Sequence, residues 1–307
     1  MKVFFVVIAA CMTLTSCDNY FKNDYVDNSP TSGKLKVYCE EGLSDQIESQ
    51  IYSFEREYDM ANVEMIVRSD AEAVQAMYAD SCKAIVISRE LTPTEKDQFK
   101  SKDMEPRFTN VAYSGIAVIT NIKTNLSKLS TGQLKELLIR PFVCMDSIDA
   151  NCKLKVVFEN NRSSVVFYLR DSVLKGKSFS ENCSSLKSSI EVINYVASTP
   201  NAVGFIDFAC ISDVDDSLYK ANKDKIKFIP IGRGEGTYFS PNQSSFKTGE
   251  YPLTRKVYVY HQASEFSLAK GFESFVAGPK GQTIFLKQGL LPTKQQERMI
   301  QVKTEPQ

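Results

Sequence analysis

The sequence contains 307 residues, of which 37 are basic and 37 acidic, so its formal net charge at pH 7 is zero. This balance, together with the absence of a basic stripe with interleaved aromatic residues, argues against nucleic acid as a partner. A chain of this length with 43% hydrophobic residues can bury a large core, and it is long enough for two domains or one large one.

The N-terminus has the pattern of an export and anchoring segment. Lys2 precedes an apolar run at 3–13 that is too short to span a bilayer permanently, which indicates a signal peptide over residues 1–16. The following cysteine, preceded by the small residues of LTSC, resembles the bacterial lipobox. We therefore expect a lipid anchor on Cys17 and a flexible polar tether over residues 17–33, which would hold the protein in the cell envelope, facing the periplasm or the cell surface. The alternative is an ordinary signal peptide with a chance cysteine.

Six cysteines follow Cys17, at positions 39, 82, 144, 152, 183 and 210. They form no CxxC pair, and the chain has one histidine, His261, whereas a zinc site needs four clustered ligands. We therefore expect no metal and no other cofactor. Cys144 and Cys152 flank a predicted turn and are candidates for a disulfide in an exported chain. The other cysteines are expected to be small buried hydrophobes.

Strand and helix patterns alternate from residue 35 onward. The predicted order is strand 35–39, helix 45–58, strand 63–67, helix 71–78 and strand 83–88. Continuous apolar strands separated by amphipathic helices predict a parallel sheet covered on both faces, and hence the α/β class. Ligands of such sheets bind at the carboxyl ends of the strands, so the turns at 40–44 and 88–92 are candidate binding turns.

The same alternation continues through the rest of the chain. Thr92 and Glu95 have the spacing of a capping box that starts a helix, and the strand predicted at 111–121 is long enough to pass from one lobe to another. Further helices are predicted at 130–138, 189–198, 265–276 and 281–288, and further strands at 202–208, 225–231 and 257–260.

The stretch 156–174 indicates a strand, a polar turn and a helix, because its apolar period changes across residues 159–164. Ser163 or Ser164 is expected to cap this helix. The free backbone N–H groups of a helix start form a favourable place for an anion. The alternative is that the serine caps a helix and binds nothing.

Six motifs, taken in order, resemble the landmarks of one family. They are AIVISRELT at 84–92, GIAVITN at 115–121, LSTGQLKELL at 129–138, TPNAVGF at 199–205, YPLTRKVYVY at 251–260 and FVAGPKGQTIFLKQGLLP at 275–292. Together they resemble the phosphate-binding lipoproteins and periplasmic proteins of Pst-type ABC importers, and more closely the divergent lipoprotein branch of that family in Bacteroidetes. The resemblance implies a type II periplasmic-binding-protein fold, in which two α/β lobes joined by two crossing segments enclose a ligand cleft. Lobe one would comprise residues 34–118 and 255–307, and lobe two residues 119–254.

Members of that family hold their anion with three turns, and the resemblance assigns these turns to positions of this sequence. The first follows the first strand, the second follows the third strand, and the third opens the helix after residue 158. The ligand-binding residues that the resemblance implies are Gly42, Leu43 and Ser44 in the first turn, Ser88 in the second, and Asn161, Arg162, Ser163 and Ser164 in the third. We add Arg89, the cation next to Ser88, as a further candidate.

Several positions depart from the pattern of the family. Phe158 stands where the family has the arginine that grips phosphate. Glu40 and Glu41 lie beside the first turn, where they would repel a phosphate dianion or would themselves occupy the positive end of the helix dipole. Arg89 and Arg162 are the cations that we expect to compensate for the missing arginine.

The resemblance implies a monomeric, lipid-anchored solute-binding protein that delivers phosphate or a related oxyanion to the permease of an ABC importer. Because the binding turns are degenerate, the alternative is an envelope sensor or interaction protein with another ligand or none. An enzyme is not expected, since no GxSxG, HExxH or Walker pattern occurs and one histidine leaves little scope for acid–base catalysis.

Overall fold

The computed structural model describes residues 29–140, 154–234 and 236–294. The predicted signal peptide, the predicted lipidation site Cys17 and the candidate disulfide Cys144–Cys152 lie outside the described residues. Within these three ranges, no helix is both long enough and apolar enough to cross a bilayer. Cys39 and Cys82 are buried free thiols, as expected for small hydrophobes, whereas Cys183 and Cys210 are free thiols that are only partly buried.

The strands of the described chain are numbered in order of sequence. They are β1 (Gly33–Glu40), β2 (Ala61–Arg68), β3 (Ala84–Ile87), β4 (Arg107–Asn121), β5 (Leu129–Ser130), β6 (Lys155–Phe158), β7 (Cys183–Ser185), β8 (Ala202–Asp207), β9 (Ile226–Phe228), β10 (Ile231–Gly232), β11 (Thr254–His261) and β12 (Leu291–Pro292).

The helices are numbered in the same way. They are α1 (Ser44–Glu57), α2 (Asp70–Tyr78), α3 (Pro93–Lys100), α4 (Thr131–Ile139), α5 (Ser164–Tyr168), α6 (Ser189–Ser198), α7 (Ser217–Asn222), α8 (Gln243–Lys247), α9 (Leu268–Val276) and α10 (Pro279–Lys287). Short 3₁₀ turns cover Glu41–Leu43 and Phe208–Ile211, and a π-helical turn covers Leu169–Val173.

Three predicted boundaries differ from the observed ones for identifiable reasons. The strand predicted at 225–231 is divided into β9 and β10, because Pro230 between them has no N–H to donate to a sheet. The helix predicted to begin at residue 265 begins at Leu268, since Ser267 caps it by accepting from the Lys270 N–H at 3.3 Å. Strand β11 begins three residues earlier than predicted, at Thr254, because residues 254–256 pair with residues 113–115 of β4.

The last residues of the predicted tether pack against the folded body. The Ser29 N–H donates to the Ser32 carbonyl at 3.1 Å in a tight turn. The carbonyl oxygen of Pro30 lies over Gly271 of α9, so closely that a Cβ atom at Gly271 would be 1.7 Å from it. Glycine is therefore the residue that this close approach requires.

Strand β4 joins two half-sheets. The order across the main sheet is β2-β1-β3-β11-β4-β8-β6-β7, with β9 and β12 also pairing with β4. The first half of β4 pairs antiparallel with β11, and residues 116–120 of its second half pair antiparallel with β8. We call β2, β1, β3 and β11 the first half-sheet, and β8, β6 and β7 the second. Because β1 and β3 run toward the middle of β4 from one side and β6 and β8 from the other, all four carboxyl ends converge there.

Helices cover both faces of the first half-sheet, as the apolar strands predict. Phe54 of α1 contacts two rings of α9, with centroids 5.6 Å from Phe272 and 5.3 Å from Phe275, so these helices pack together on one face. Met77 and Phe99, from α2 and α3, belong to a second buried cluster on the other face. Because the helices cover both faces, the carboxyl ends of the strands are where this half-sheet can form a polar site.

Candidate ligand-binding site

Buried polar side chains meet where the two half-sheets converge. They come from the end of β1, the turn after β3, the start of α5, the end of β8 and the start of β11. All of them are buried. We call this group the central cluster: Glu40, Ser88, Ser164, Asp207 and Arg255.

Hydrogen bonds connect the central cluster. Arg255 donates from Nη1 to Ser164 Oγ at 2.8 Å, and its Nη2 forms an ion pair with Asp207. The hydroxyl oxygens of Ser88 and Ser164 lie 3.3 Å apart. The backbone N–H of Ser88 donates to Glu40 Oε2 at 3.0 Å. One guanidinium and two hydroxyl groups therefore converge in a place shielded from water, where charge-assisted hydrogen bonds are strong.

Strand register explains why Arg255 and Asp207 meet. Arg255 pairs with Ser114 of β4, and Asp207 pairs with Ile116. Residues two apart on a strand point to the same face, so both side chains lie on the face of Ser114. Ser114 Oγ confirms this arrangement by donating to Asp207 Oδ1 at 2.9 Å.

Burial controls the ionisation of the carboxyl groups at this site. It raises the pKa of Glu40 to about 7, an effect that Arg255 opposes and Asp207 adds to. Burial likewise raises the pKa of Glu159 to about 8, although Ser189 donates a hydrogen bond to its carboxylate. For Arg255, burial alone would lower the pKa, but the negative charge of Asp207 and Glu40 holds it above the ordinary value. Arg255 is therefore a cation at neutral pH, and Glu159 is mostly neutral.

A small cavity of about 20 Å³ adjoins the central cluster. A cavity needs roughly 10–15 Å³ to hold a water molecule, so this one has room for about one water and is too small for a tetrahedral oxyanion. Its lining residues are Glu40, Glu41, Gly42, Ser69, Asp70, Glu159, Asn160, Ser163 and Ser164.

The first-turn residues named from the sequence have different surroundings. Gly42 lines the cavity, and a Cβ atom there would lie 2.6 Å from Asp207 Cβ, so the backbone needs a glycine for this approach. Leu43 is a fully buried core residue. Ser44 donates from Oγ to the Glu41 carbonyl at 2.9 Å and starts α1.

The two arginines expected to compensate for the missing family arginine are engaged elsewhere. Arg89 pairs with Asp70 and holds Glu95 in a bidentate contact at 2.7 and 2.8 Å. The Arg162 side chain is 72% exposed and lies 3.5 Å from Glu72. Neither of them lines the cavity or contacts Ser164, and the guanidinium beside Ser164 belongs to Arg255.

The residues of the third turn have different roles: one caps a helix and another belongs to the central cluster. Ser163 is the helix cap, because its hydroxyl accepts from the Val166 N–H at 3.3 Å. Ser164 follows it and points inward to Ser88 and Arg255, whereas Asn161 is exposed. Phe158 is buried and packs on Phe179 with ring centroids 4.9 Å apart.

Sequence reasoning missed Arg255, Asp207 and Ser114 as site residues. A usable signal existed for Arg255, since it alternates with Lys256 at the start of an apolar strand and shares the inward face of Val257. A charged residue on the buried face of a strand is rare unless it is paired. No comparable signal marked Asp207, because acidic residues at strand ends commonly cap the following turn, as Asp207 does by accepting from the Ala209 N–H at 2.9 Å.

The site has the chemistry of an anion-binding cluster without metal ligands. Among the described residues, no group of three or more histidine, cysteine, aspartate or glutamate side chains is arranged to hold a metal ion. The cluster instead combines one buried guanidinium, two hydroxyl groups and flanking carboxyl groups. Two α/β half-sheets whose carboxyl ends converge on such a cluster define a periplasmic-binding-protein fold.

The comparisons with known proteins identify the family. A family model described as a PBP superfamily domain matches residues 28–280, and the chain therefore belongs to the PBP superfamily. The phosphate-binding protein PstS of Pseudomonas aeruginosa is 21% identical over 288 residues, which cover 88% of this chain and 86% of that protein.

Solved structures show the same fold. A substrate-binding protein with bound phosphate from Clostridium perfringens superposes with a TM-score of 0.71 at 16% identity, covering 85% of this chain and all of that one. An ABC-type phosphate transport receptor from Vibrio cholerae gives 0.66 at 14% identity, also over 85% of this chain and all of that one. The resemblance to Pst-type binding proteins is thus confirmed, and the family is one of binding proteins and not of enzymes. The closer assignment to a Bacteroidetes branch stays a prediction.

Proposed function

We propose that this protein binds phosphate or a related small oxyanion between two lobes and delivers it to the permease of an ABC importer. The observation that carries the proposal is the guanidinium of Arg255, buried between the half-sheets and donating to Ser164 at 2.8 Å. The names of the relatives, phosphate-binding protein PstS among them, support the choice of anion.

Arg255 has a donor left for a ligand. Its Nη1 and Nη2 are engaged by Ser164 and Asp207, but its Nε is buried and has no hydrogen-bond partner within the described part of the chain. A buried donor without a partner is costly, so an anion that accepts from Nε gains more than the same contact would give at the surface. Ser88 and Ser164 would add hydroxyl donors to the same anion.

The proposed binding mode requires the lobes to move. The cavity of about 20 Å³ would have to expand for a tetrahedral anion to enter. With lobe one at residues 34–118 and 255–307 and lobe two at 119–254, the two crossing points fall on neighbouring strands, β4 and the start of β11. Hinge bending at these crossings would open and close the cleft around the ligand.

The N-terminal part of the proposal is a lipid anchor on Cys17. We expect the protein, as a monomer, to remain with the cell envelope, because an acylated cysteine at the mature N-terminus would tether the folded body to a membrane. Cys17→Ser should release the protein into the soluble fraction after cell lysis. Unchanged membrane fractionation of this variant would contradict the anchor.

A second function is favoured by the charge of the cavity. Four of its lining residues carry carboxyl groups, none is basic, and Asp207 already pairs with Arg255. This charge pattern disfavours an inorganic dianion and supports an envelope sensor or interaction protein with another ligand or none.

Calorimetric titration separates the two functions. The full-length protein, purified in detergent and stripped of phosphate, would be titrated with phosphate and then with sulfate. We expect saturable one-to-one phosphate binding, weakened by Ser164→Ala by about ten- to a hundredfold, the loss of one hydrogen bond to a charged group. The exposed Ser127→Ala is the matched control and should leave the affinity unchanged. No heat with either anion on a folded protein would favour the second function.

A further inference from the structure

The cavity beside the central cluster has an unusual charge for an anion site. Its nine lining residues include four carboxyl side chains and neither lysine nor arginine nor histidine. The four are Glu40, Glu41, Asp70 and Glu159. An inorganic dianion that filled this space would face carboxyl groups on most sides, and each of these groups that is ionised would repel it in a site shielded from water.

Two oxygens on the cavity wall lack a donor. Glu40 Oε1 and Asp70 Oδ1 are buried and have no hydrogen-bond partner among the described residues. The other oxygen of each carboxyl group is engaged: Glu40 Oε2 accepts from the Ser88 N–H at 3.0 Å, and Asp70 Oδ2 pairs with Arg89. Buried acceptors are nearly always satisfied in folded proteins, so a ligand that brings N–H donors would complete both groups.

Ser164 connects this acidic cavity to the guanidinium. It lines the cavity and also accepts from Arg255 Nη1 at 2.8 Å. The site therefore has a cationic side, formed by Arg255 with the hydroxyls of Ser88 and Ser164, next to an acidic side formed by the four carboxyl groups. Opposite charges placed side by side in one site match a ligand that carries both.

We propose that the ligand is a small zwitterion, an alkyl phosphate or phosphonate that also carries a protonated amine. Its anionic group would accept from Arg255 and the two serines, and its ammonium group would donate to Glu40 and Asp70. The inference rests on the proposed oxyanion-binding function and narrows it to one class of oxyanion. It also accounts for Glu40 and Glu41 beside the first turn, where they would repel inorganic phosphate.

The ionisation of the cavity supports a cationic occupant. Burial raises the pKa of Glu40 to about 7 and that of Glu159 to about 8, so both carboxyl groups are partly or mostly protonated at pH 7. A nearby ammonium group favours the carboxylate and would lower both pKa values. Binding should therefore release protons at pH 7, and calorimetry in two buffers of different ionisation enthalpy would measure the release.

The test compares 2-aminoethylphosphonate with ethylphosphonate, which has the same anionic group and no amine, on the detergent-purified full-length protein. We expect 2-aminoethylphosphonate to bind at least about tenfold more tightly, the effect of one charge-assisted hydrogen bond. Glu40→Gln should abolish this preference, and its amide oxygen can still accept from Ser88. Glu105→Gln is the control: it replaces an exposed carboxyl group that does not line the cavity, and the variant should keep the preference.

Each outcome decides the inference. Equal binding of the two phosphonates, or tighter binding of ethylphosphonate, would overturn it. Phosphate binding without any preference for the amine would overturn it and leave the proposed function standing. Binding of 2-aminoethylphosphonate without binding of phosphate would support it and restrict the proposed function to the related oxyanion. No binding of any of the three probes by a folded protein would overturn both.

Discussion

Arg255 and Asp207 form an ion pair in which the two side chains are 2% and 0% exposed. They lie 48 residues apart in the sequence and meet because both strands that carry them pair with the middle of β4. A charge buried this deeply is tolerated because its partner is buried with it.

Removing the charge of Asp207 should therefore destabilise the protein strongly. Asp207→Asn would leave the Arg255 guanidinium without its closest counter-ion, and we expect a loss of about 3 to 5 kcal/mol in the free energy of unfolding. The matched control is Asp171→Asn, which breaks the exposed ion pair with Arg170 and should cost less than about 1 kcal/mol. Urea denaturation followed by circular dichroism would measure both. Similar losses in the two variants would contradict the role given to burial.

Gly42 should not tolerate a side chain. Gly42→Ala would place a Cβ atom 2.6 Å from Asp207 Cβ, and the shift needed to relieve this contact should cost about 1 to 3 kcal/mol. It should also weaken ligand binding, because Gly42 lines the cavity. Gly132→Ala in α4 is the control, since its nearest atom would be 3.7 Å away and alanine favours a helix by about 1 kcal/mol. A melting temperature that is unchanged in Gly42→Ala would contradict the close approach of the first turn to Asp207.

The stability of the protein should fall as the pH rises from about 4.5 to about 8. Burial raises the pKa of Glu159 from 4.5 to about 8, so in this range the folded state holds a proton that the unfolded state has lost. The contribution is fully present below pH 4.5 and is lost as the pH rises through the folded pKa. Glu40, with a pKa of about 7, acts in the same direction.

Glu159→Gln removes the titrating proton and keeps an oxygen that can accept from Ser189. Urea denaturation at pH 5, 7 and 9 would measure the free energy of unfolding. This free energy should decline less with pH in the variant than in the wild type, and at pH 9 it should be higher in the variant. Glu105→Gln should follow the wild type. A Glu159→Gln variant that loses stability with pH as steeply as the wild type would refute the assignment.

Two glutamines on α1 offer a matched test of the proposed hinge. Gln46 donates from Nε2 to the Ala209 carbonyl at 2.9 Å, and Gln50 donates from Nε2 to the Gly281 carbonyl at 2.8 Å. Both side chains are buried, but the first contact joins the proposed lobes, whereas the second lies within lobe one. Therefore only the hydrogen bond of Gln46 should restrain opening of the cleft between the lobes.

Gln46→Ala is expected to shift the ligand-free protein toward the open form, with a larger radius of gyration by small-angle X-ray scattering. Gln50→Ala should lose stability to a similar degree without changing that radius. An equal radius for the two variants, or a ligand that binds without compaction of the wild type, would argue against hinge closure.

The sequence predicted the order of the strands and helices well because that order depends on local patterns. The continuous apolar run of β3 and the helical spacing in α1 specify their secondary structure without reference to distant residues. The same patterns placed Ser88 and Ser164 at candidate binding turns, since each lies in a turn that follows the carboxyl end of a strand. The observed element boundaries differ from the predicted ones where a single residue ends an element, as Pro230 does between β9 and β10.

The cationic partner in the site was not predicted, because the residues at the turns themselves favour other arginines. Arg89 and Arg162 stand beside the binding turns in the sequence, and the sequence therefore favours them over Arg255. Their side chains pair with carboxylates close to them in space, Arg89 with Asp70 and Glu95 and Arg162 with Glu72. The competing local ion pairs are visible only when α2 and α3 are packed on the sheet.

The sequence by itself determined the α/β class, the alternation of elements and the positions of the turns at strand ends, because these follow from residue periodicity and from capping within a few positions. Only the tertiary structure decided that the buried guanidinium beside Ser164 belongs to Arg255. It lies 91 residues after Ser164, and the two side chains meet because β11 and β8 pair with β4 and β6, which leads into α5, pairs with β8. Register depends on pairings between strands far apart in the chain, and no local pattern contains that information.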